Sequence, residues 1–120
     1  MRPHAEIDAA ELLEWQARGA RVVDVREEFE LLSGVIPGAE SLPLSRFLDG
    51  VDGLAGAPVV FVCASGSRSR DAAAYLVRQG FAHEVANFSG GMKGWREEGR
   101  EVAPWRPPAD RAEPPTEADG

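Results

Sequence analysis

The sequence predicts an α/β fold in which a mostly parallel central sheet is flanked by helices on both faces. Short apolar runs alternate along the chain with segments that have helical spacing, and this alternation is typical of α/β domains. The run at residues 58–62 is apolar at nearly every position, as expected of a central strand that is covered on both faces. With 120 residues, 43% of them hydrophobic, the chain is long enough for one domain with its own core.

The first half of the chain begins with a predicted helix at residues 9–18, for which Asp8 is the expected N-cap and Gly19 the end. The elements that follow it are short. They are a strand at residues 21–25, a helix at 28–32, a strand at 40–42 and a helix at 45–48. Residues 50–56 contain three glycines besides small and apolar residues and are predicted to be a flexible connection.

The second half is predicted to contain two strands, each followed by a helix. The predicted ranges are 58–62 and 84–88 for the strands and 69–79 and 92–98 for the helices. Gly90 and Gly91 favour a turn into the last helix, although they could also bring the backbone close to a neighbouring loop. Trp95 is expected to anchor that helix in the core.

The organisation predicted for the whole chain is one domain at residues 5–103 and a tail at residues 104–120. The tail contains five of the nine prolines, together with acidic and small residues. Such a composition buries too little apolar surface to fold, so we expect this tail to be disordered.

Cys63 is the only cysteine of the chain, and it directly follows the apolar run at residues 58–62. The residues after it are Ala64, Ser65, Gly66, Ser67, Arg68 and Ser69. Small residues allow the backbone to curl around the sulfur with its N–H groups inward, and the positive end of the next helix points at the same place. Together with the charge of Arg68, this arrangement favours the thiolate, which is the nucleophilic form.

A cysteine at the end of a buried strand is also often only a small apolar core residue. Packing alone, however, does not call for a Ser/Gly loop, an arginine and a helix start immediately downstream. We therefore interpret residues 63–69 as a site of nucleophilic chemistry.

Residues 63–69 resemble the active-site loop of the rhodanese family of sulfurtransferases, which commonly reads Cys-x-Ser-Gly-x-Arg-Ser. Further matching segments occur in the family's order along the chain. They are Asp24-Val25-Arg26-Glu27, Gly34 to Ala39, Gly90-Gly91 and Trp95. The resemblance implies a single rhodanese-like domain.

It also implies that Cys63 takes a sulfane sulfur from thiosulfate, a persulfide or a polysulfide and holds it as a persulfide. A thiol, including a protein thiol, or cyanide would then accept the sulfur in a two-step, ping-pong transfer. Because the chain has no second cysteine, the acceptor must come from outside. Asp24 and Arg26 are expected to lie next to the residues that form the site. They could either lie near the substrate or form an ion pair that only fixes the chain.

Two positions depart from the common family pattern. Position 64 is Ala where many members have Arg, and position 35 is Val where many have His. Since Ala64 removes a positive charge from the loop, we expect thiosulfate to bind weakly and a persulfide or polysulfide to be the better donor.

Three alternatives stay open. A cysteine-dependent phosphatase or arsenate reductase also places a thiolate and an arginine around an anion, but such loops typically read Cys-x5-Arg, whereas only four residues separate Cys63 from Arg68. A second alternative is a non-catalytic binding module in which Cys63 is incidental. The third is a persulfide carrier that serves a protein partner.

Charge and composition restrict the partners. The net charge is −7 with no basic stripe, which argues against nucleic acid or a membrane surface as partner. His4 and His83 lack partners at metal-ligand spacing, so we expect neither a metal nor another cofactor. The longest apolar run is too short to span a membrane, and a lone cysteine fits a reducing compartment, so a cytoplasmic location is expected. A small domain of this kind is also expected to be a monomer.

Overall fold

The computed structural model describes residues 3–106 and contains a five-stranded sheet in which all paired strands are parallel. The strands are β1 (Ala5–Ile7), β2 (Arg21–Asp24), β3 (Glu40–Ser41), β4 (Val59–Val62) and β5 (Val85–Phe88). Their order across the sheet is β1-β5-β4-β2-β3, so β4 lies at the centre. The predicted α/β class with a parallel sheet is confirmed.

Five helices lie between or after these strands in the described residues. They are α1 (Ala9–Ala17), α2 (Glu28–Leu31), α3 (Phe47–Gly50), α4 (Ser67–Arg78) and α5 (Gly91–Glu97), with 3₁₀ turns at Leu44–Arg46 and Val51–Leu54 on either side of α3. Asp8 caps α1 as predicted. Its carboxylate accepts the Glu11 N–H at 2.8 Å while the Glu11 side chain accepts the Asp8 N–H at 2.9 Å.

Alternate residues of each strand point to opposite sides of the sheet, and helices cover both sides, so both faces are buried. On one side, Val60, Val62 and Phe88 pack against α1 and α5, including Trp95. On the other side, Val59, Phe61 and Cys63 pack against the α3 region and α4. All four residues of β4 have no exposed surface, which confirms the prediction of a central strand and agrees with its apolar composition.

The structure corrects three expectations. β1 was not predicted, because it has only three residues and the middle one is the exposed Glu6, so it has no apolar run. Helix α4 begins at Ser67 rather than at residue 69. The segment at residues 50–56 is not only a connection, since it forms a 3₁₀ turn that buries Leu54 against the core. The predicted tail falls outside the described residues from position 107 onward.

Within residues 3–106, none of the helices combines the length and the apolar composition that crossing a membrane requires.

Candidate active site

Cys63 directly follows the carboxyl end of the central strand β4, and its sulfur lies inside the turn that leads into α4. Three donors point at Sγ. They are the Gly66 N–H at 3.1 Å, the Ser69 N–H at 3.4 Å and the Ser69 hydroxyl at 3.3 Å. The residues 63–69, called the Cys63 loop from here on, therefore surround the sulfur with hydrogen-bond donors, as an anion site requires.

Gly66 makes this curl possible. It lies directly before α4 with φ +93°, a left-handed conformation that favours glycine. A Cβ atom there would also collide with the backbone carbonyl of Ser89. The turn at Gly66 starts α4 so that the Ser69 N–H, in the first turn of the helix, faces the sulfur, where it favours negative charge.

Two opposing effects determine the pKa of the Cys63 thiol. Burial, the largest single effect, raises it, while the hydroxyl of Ser69 and the backbone N–H groups of Ser69, Ser65 and Gly66 lower it. The hydrogen bonds together outweigh burial, so the pKa of Cys63 lies below its ordinary value. The loop therefore favours the nucleophilic thiolate.

The back of the Cys63 loop packs against the start of α5. The Met92 N–H donates to the Cys63 carbonyl at 2.9 Å, and the Lys93 N–H donates to the Ala64 carbonyl at 3.0 Å. Gly91 has φ +63°, and a Cβ atom on it would lie 2.7 Å from the Ala64 carbonyl carbon and 2.8 Å from the Ser65 nitrogen. Of the two interpretations of Gly90 and Gly91, the close approach to a neighbouring loop is thus correct for Gly91, in addition to the turn.

Asn87 of β5 holds the same side of the loop. Its side chain is fully buried, and its amide donates to the Gly66 carbonyl at 3.1 Å and to the Glu6 carboxylate at 2.9 Å. This contact fixes the Gly66–Ser67 peptide, which directly follows the peptide whose N–H donates to the sulfur. Sequence reasoning missed Asn87, since a single asparagine within a strand gives no indication of its partner.

The front of the loop contains Arg68, whose guanidinium forms two parallel hydrogen bonds with Glu30 of α2. The Nη1–Oε1 and Nη2–Oε2 distances are 2.8 and 2.9 Å. Arg68 is therefore not the free positive charge that the loop sequence predicts, because Glu30 balances it. Glu30 was missed because its pairing with a residue 38 positions later depends on the tertiary fold.

Asp24 and Arg26 lie at the carboxyl end of β2, beside the end of β4, and form a buried ion pair with an Nη2–Oδ2 distance of 2.8 Å. The Arg26 guanidinium also donates to the backbone carbonyls of Glu30 at 3.2 Å and Gly34 at 2.9 Å. The pair thus fixes α2 and the segment after it, and it reaches the Cys63 loop through Glu30.

The two departures from the common pattern lie in different surroundings. Ala64 is half-buried, and its backbone carbonyl is the atom that α5 holds. Val35 is buried and pairs with Ala103 through two backbone hydrogen bonds of 2.8 and 2.9 Å. Ser65 and Ser67 are exposed at the rim of the loop.

Among residues 3–106, no three His, Cys, Asp or Glu side chains are grouped so that they could hold a metal ion. The described part of the site is instead built from a thiol, backbone N–H groups and a hydroxyl. This donor set suits an anionic sulfur species.

Comparison with known proteins gives a consistent result. The family model described as a rhodanese-like domain matches residues 8–98. A thiosulfate sulfurtransferase GlpE of Pseudomonas entomophila is 37% identical over 99 residues, which are 80% of this chain and 88% of that protein. Another, from Pseudomonas fluorescens, is 43% identical over 82 residues, which are 66% and 72% of the two chains.

A crystal structure of a rhodanese-related protein from Thermoplasma volcanium superposes with a TM-score of 0.72 at 33% identity. The superposition covers 83% of this chain and 98% of that one. Fold and sequence therefore agree on the same family over nearly the whole described region.

Proposed function

The chain belongs to the family of rhodanese-like domains, and from this membership we propose that it is a sulfurtransferase that carries sulfur as a persulfide on Cys63. Its relatives are named thiosulfate sulfurtransferases, which makes a rhodanese-type transferase the activity class. A small-molecule sulfur donor and a thiol acceptor follow from that class.

In the first step, the Cys63 thiolate attacks the outer, sulfane sulfur of the donor. With thiosulfate, a bond forms between Sγ and the sulfane sulfur, the sulfur–sulfur bond of the donor breaks, and its electron pair leaves with sulfite. The product is the Cys63 persulfide anion, so the three negative charges of the reactants are conserved. Catalysis in this step depends on the thiolate and on the donors around it.

In the second step, the nucleophilic acceptor attacks the outer sulfur of the persulfide. Cyanide leaves as thiocyanate, and a thiolate leaves as a new persulfide. In both cases the electron pair of the breaking bond returns to Sγ and regenerates the thiolate. The N–H and O–H donors that stabilise the thiolate also suit the anionic outer sulfur, so one loop serves both states.

The single observation that supports this proposal most is the convergence of three donors on one sulfur, at 3.1 to 3.4 Å. A structural cysteine needs no such arrangement, because a thiol is only a weak hydrogen-bonding group.

We further propose that the protein is a monomer that passes sulfur to small or protein thiols. We also propose that it does not bind nucleic acid, which agrees with its net charge of −7.

The proposal predicts that Cys63 takes up one sulfur atom. The reduced protein is incubated with thiosulfate or a polysulfide, freed of excess donor, and measured by intact mass spectrometry beside Cys63→Ser. We expect the wild type to gain one sulfur, to lose it on addition of cyanide or a thiol, and the Cys63→Ser protein to gain none.

Absence of any sulfur gain with both donors would contradict the proposal and favour a binding module. Hydrolysis of an aryl phosphate by the wild type, faster than by Cys63→Ser, would instead revive the phosphatase alternative.

A further inference from the structure

The only positively charged residue of the Cys63 loop faces a carboxylate that lies outside the loop. Arg68 is the one ionisable cation among residues 63–69. Glu30 meets its guanidinium with both carboxylate oxygens, at 2.8 and 2.9 Å. The pair is only partly buried, with 37% of the Arg68 and 22% of the Glu30 side chain exposed. The pair is therefore reachable from solvent at the Cys63 loop, and it carries no net charge.

Glu30 is itself held in place. Its Oε1 also accepts the backbone N–H of Glu27 at 3.0 Å, so rotation of the carboxylate away from Arg68 would break this contact as well. Its backbone carbonyl accepts the Arg26 guanidinium at 3.2 Å, and Arg26 is fixed by the buried Asp24. The partner of Arg68 is thus anchored to the sheet edge from which the loop starts.

Glu30 is also ionised at any physiological pH. The hydrogen bonds from Arg68 lower its pKa most, burial opposes this, and the result is a pKa of about 2. Neutralisation of Arg68 therefore persists over the pH range in which the Cys63 thiolate forms.

We propose that Glu30 sets the charge selectivity of the site: by neutralising Arg68, it disfavours dianionic sulfur donors and favours donors of lower charge, namely thiosulfonates and alkyl persulfides. This inference depends on the proposed sulfurtransferase function. With Arg68 neutralised and Ala64 uncharged, the thiolate gives the loop a net negative charge. A dianion is repelled twice as strongly as a monoanion in the same field.

Two donors of nearly the same shape test this difference. Thiosulfate carries two negative charges, and methanethiosulfonate carries one because a methyl group replaces one oxygen. Both deliver their terminal sulfur to the thiolate, and the leaving groups are sulfite and methanesulfinate, respectively. The persulfide of 2-mercaptoethanol, which is ionised near neutral pH, serves as a second donor that carries one negative charge.

The variant Glu30→Gln keeps the size of the side chain and removes its charge. We expect kcat/KM to rise about tenfold for thiosulfate and about threefold for methanethiosulfonate, because the attraction by the released Arg68 charge scales with the donor charge. The value for the 2-mercaptoethanol persulfide should also rise about threefold, since it carries the same charge as methanethiosulfonate. In the double variant Glu30→Gln, Arg68→Gln the gain should disappear.

A matched control lies two residues away. Glu28 of α2 pairs with Arg46 at 2.8 Å, so Glu28→Gln removes the same charge from the same helix without touching Arg68. We expect this control to leave the ratio of the two donors unchanged. If Glu28→Gln changed the ratio of kcat/KM for the two donors as much as Glu30→Gln does, the overall charge of the protein would set the selectivity, and the inference would be overturned.

The wild-type protein provides a test that needs no variant. If the loop is net negative, added salt screens repulsion and raises kcat/KM more for thiosulfate than for methanethiosulfonate. A fall with salt for thiosulfate, or an equal change for both donors in Glu30→Gln, would overturn the charge selectivity while sulfur transfer itself stands. Failure of every donor to load sulfur on the wild type would instead contradict the proposed function.

Discussion

The back and the front of the Cys63 loop are fixed in different ways. At the back, the loop meets uncharged groups, namely the N–H groups of Met92 and Lys93, the amide of Asn87 and the backbone of Gly91. At the front, the loop meets a charged group, Glu30, which forms a partly exposed ion pair with Arg68. The back thus determines where the sulfur and its donors lie, and the front determines the charge that an incoming molecule meets.

This difference indicates which changes each side tolerates. Close-packed backbone leaves no room for an added atom, because nothing near it can move cheaply. A partly exposed ion pair contributes little to stability, typically less than about 1 kcal/mol, and its charge can be altered without loss of the fold. Substitutions at the back should therefore affect stability and activity together, whereas those at the front should change selectivity.

The largest effect is expected from Gly91→Ala, which places a Cβ atom 2.7 Å from the Ala64 carbonyl carbon and gives an alanine φ +63°. Overpacking and the left-handed conformation together should lower the free energy of unfolding by about 2–4 kcal/mol. Urea denaturation measures this loss, and sulfur loading of Cys63 should fall in parallel because the loop must shift.

Gly94→Ala is the matched control on the same helix, since a Cβ atom at Gly94 has no atom of another element within 4 Å. Alanine is the better helix former, so this variant should be neutral or more stable by about 0.5–1 kcal/mol. Equal destabilisation by the two substitutions would contradict the close approach at Gly91.

Asn87→Asp introduces a charge at the uncharged back while keeping the shape of the side chain. The Asn87 amide donates to the Gly66 carbonyl and to the Glu6 carboxylate, whereas a carboxylate in its place has no hydrogen to donate to either of them. We expect a loss of about 2–3 kcal/mol in the free energy of unfolding, because buried polar groups lose their partners. Asn87→Ala should lower the free energy of unfolding by less than Asn87→Asp does. Equal stability of Asn87→Asp and the wild type would show that Asn87 does not hold the loop.

A smaller effect is expected from Ser69→Ala, which removes a hydrogen-bond donor to the sulfur and leaves both sides of the loop unchanged. Removal of the hydroxyl that donates to Sγ at 3.3 Å should raise the pKa of Cys63. At a pH below that pKa, alkylation by iodoacetamide should slow about fivefold, corresponding to a hydrogen bond of about 1 kcal/mol. Ser67→Ala is the control, because Ser67 is exposed and donates nothing to the sulfur.

The same pKa shift predicts how stability depends on pH. The folded pKa of Cys63 is lowered, so the thiolate stabilises the fold fully above the unfolded pKa of about 8.5. This contribution is lost as the pH falls through the folded pKa. Ser69→Ala should therefore gain less stability than the wild type between neutral pH and pH 9, which denaturation at several pH values measures.

Most of the fold could be predicted from local patterns. The apolar run at residues 58–62 and the capping signal of Asp8 act within a few residues of the chain, and both predictions are confirmed. Strand β1 could not be predicted, because its three residues are held by pairing with β5 rather than by their own apolar pattern. The 3₁₀ turn that buries Leu54 likewise depends on the core around it.

For the site, the motif identifies the residues that are neighbours in sequence. Cys63, Gly66 and Ser69 lie within one turn, so their mutual placement follows from a strand that ends at a helix start. Glu30 and Asn87 reach the loop only through the tertiary fold, over 38 and 21 positions. Gly91 could be selected from the sequence as one of the pair Gly90-Gly91, but its contact with Ala64 depends on how α5 packs against the loop.

The pairing of the first strand with the last has a consequence for the newly made protein. β1 completes the sheet only when β5 is present, and the groups that orient Cys63 from behind lie at Asn87 and at Met92 to Lys93. During synthesis these residues leave the ribosome after Cys63, and parallel pairing over such long separations forms late. We therefore expect Cys63 of an unfinished chain to react like an ordinary thiol and to reach its full reactivity once the fold is complete.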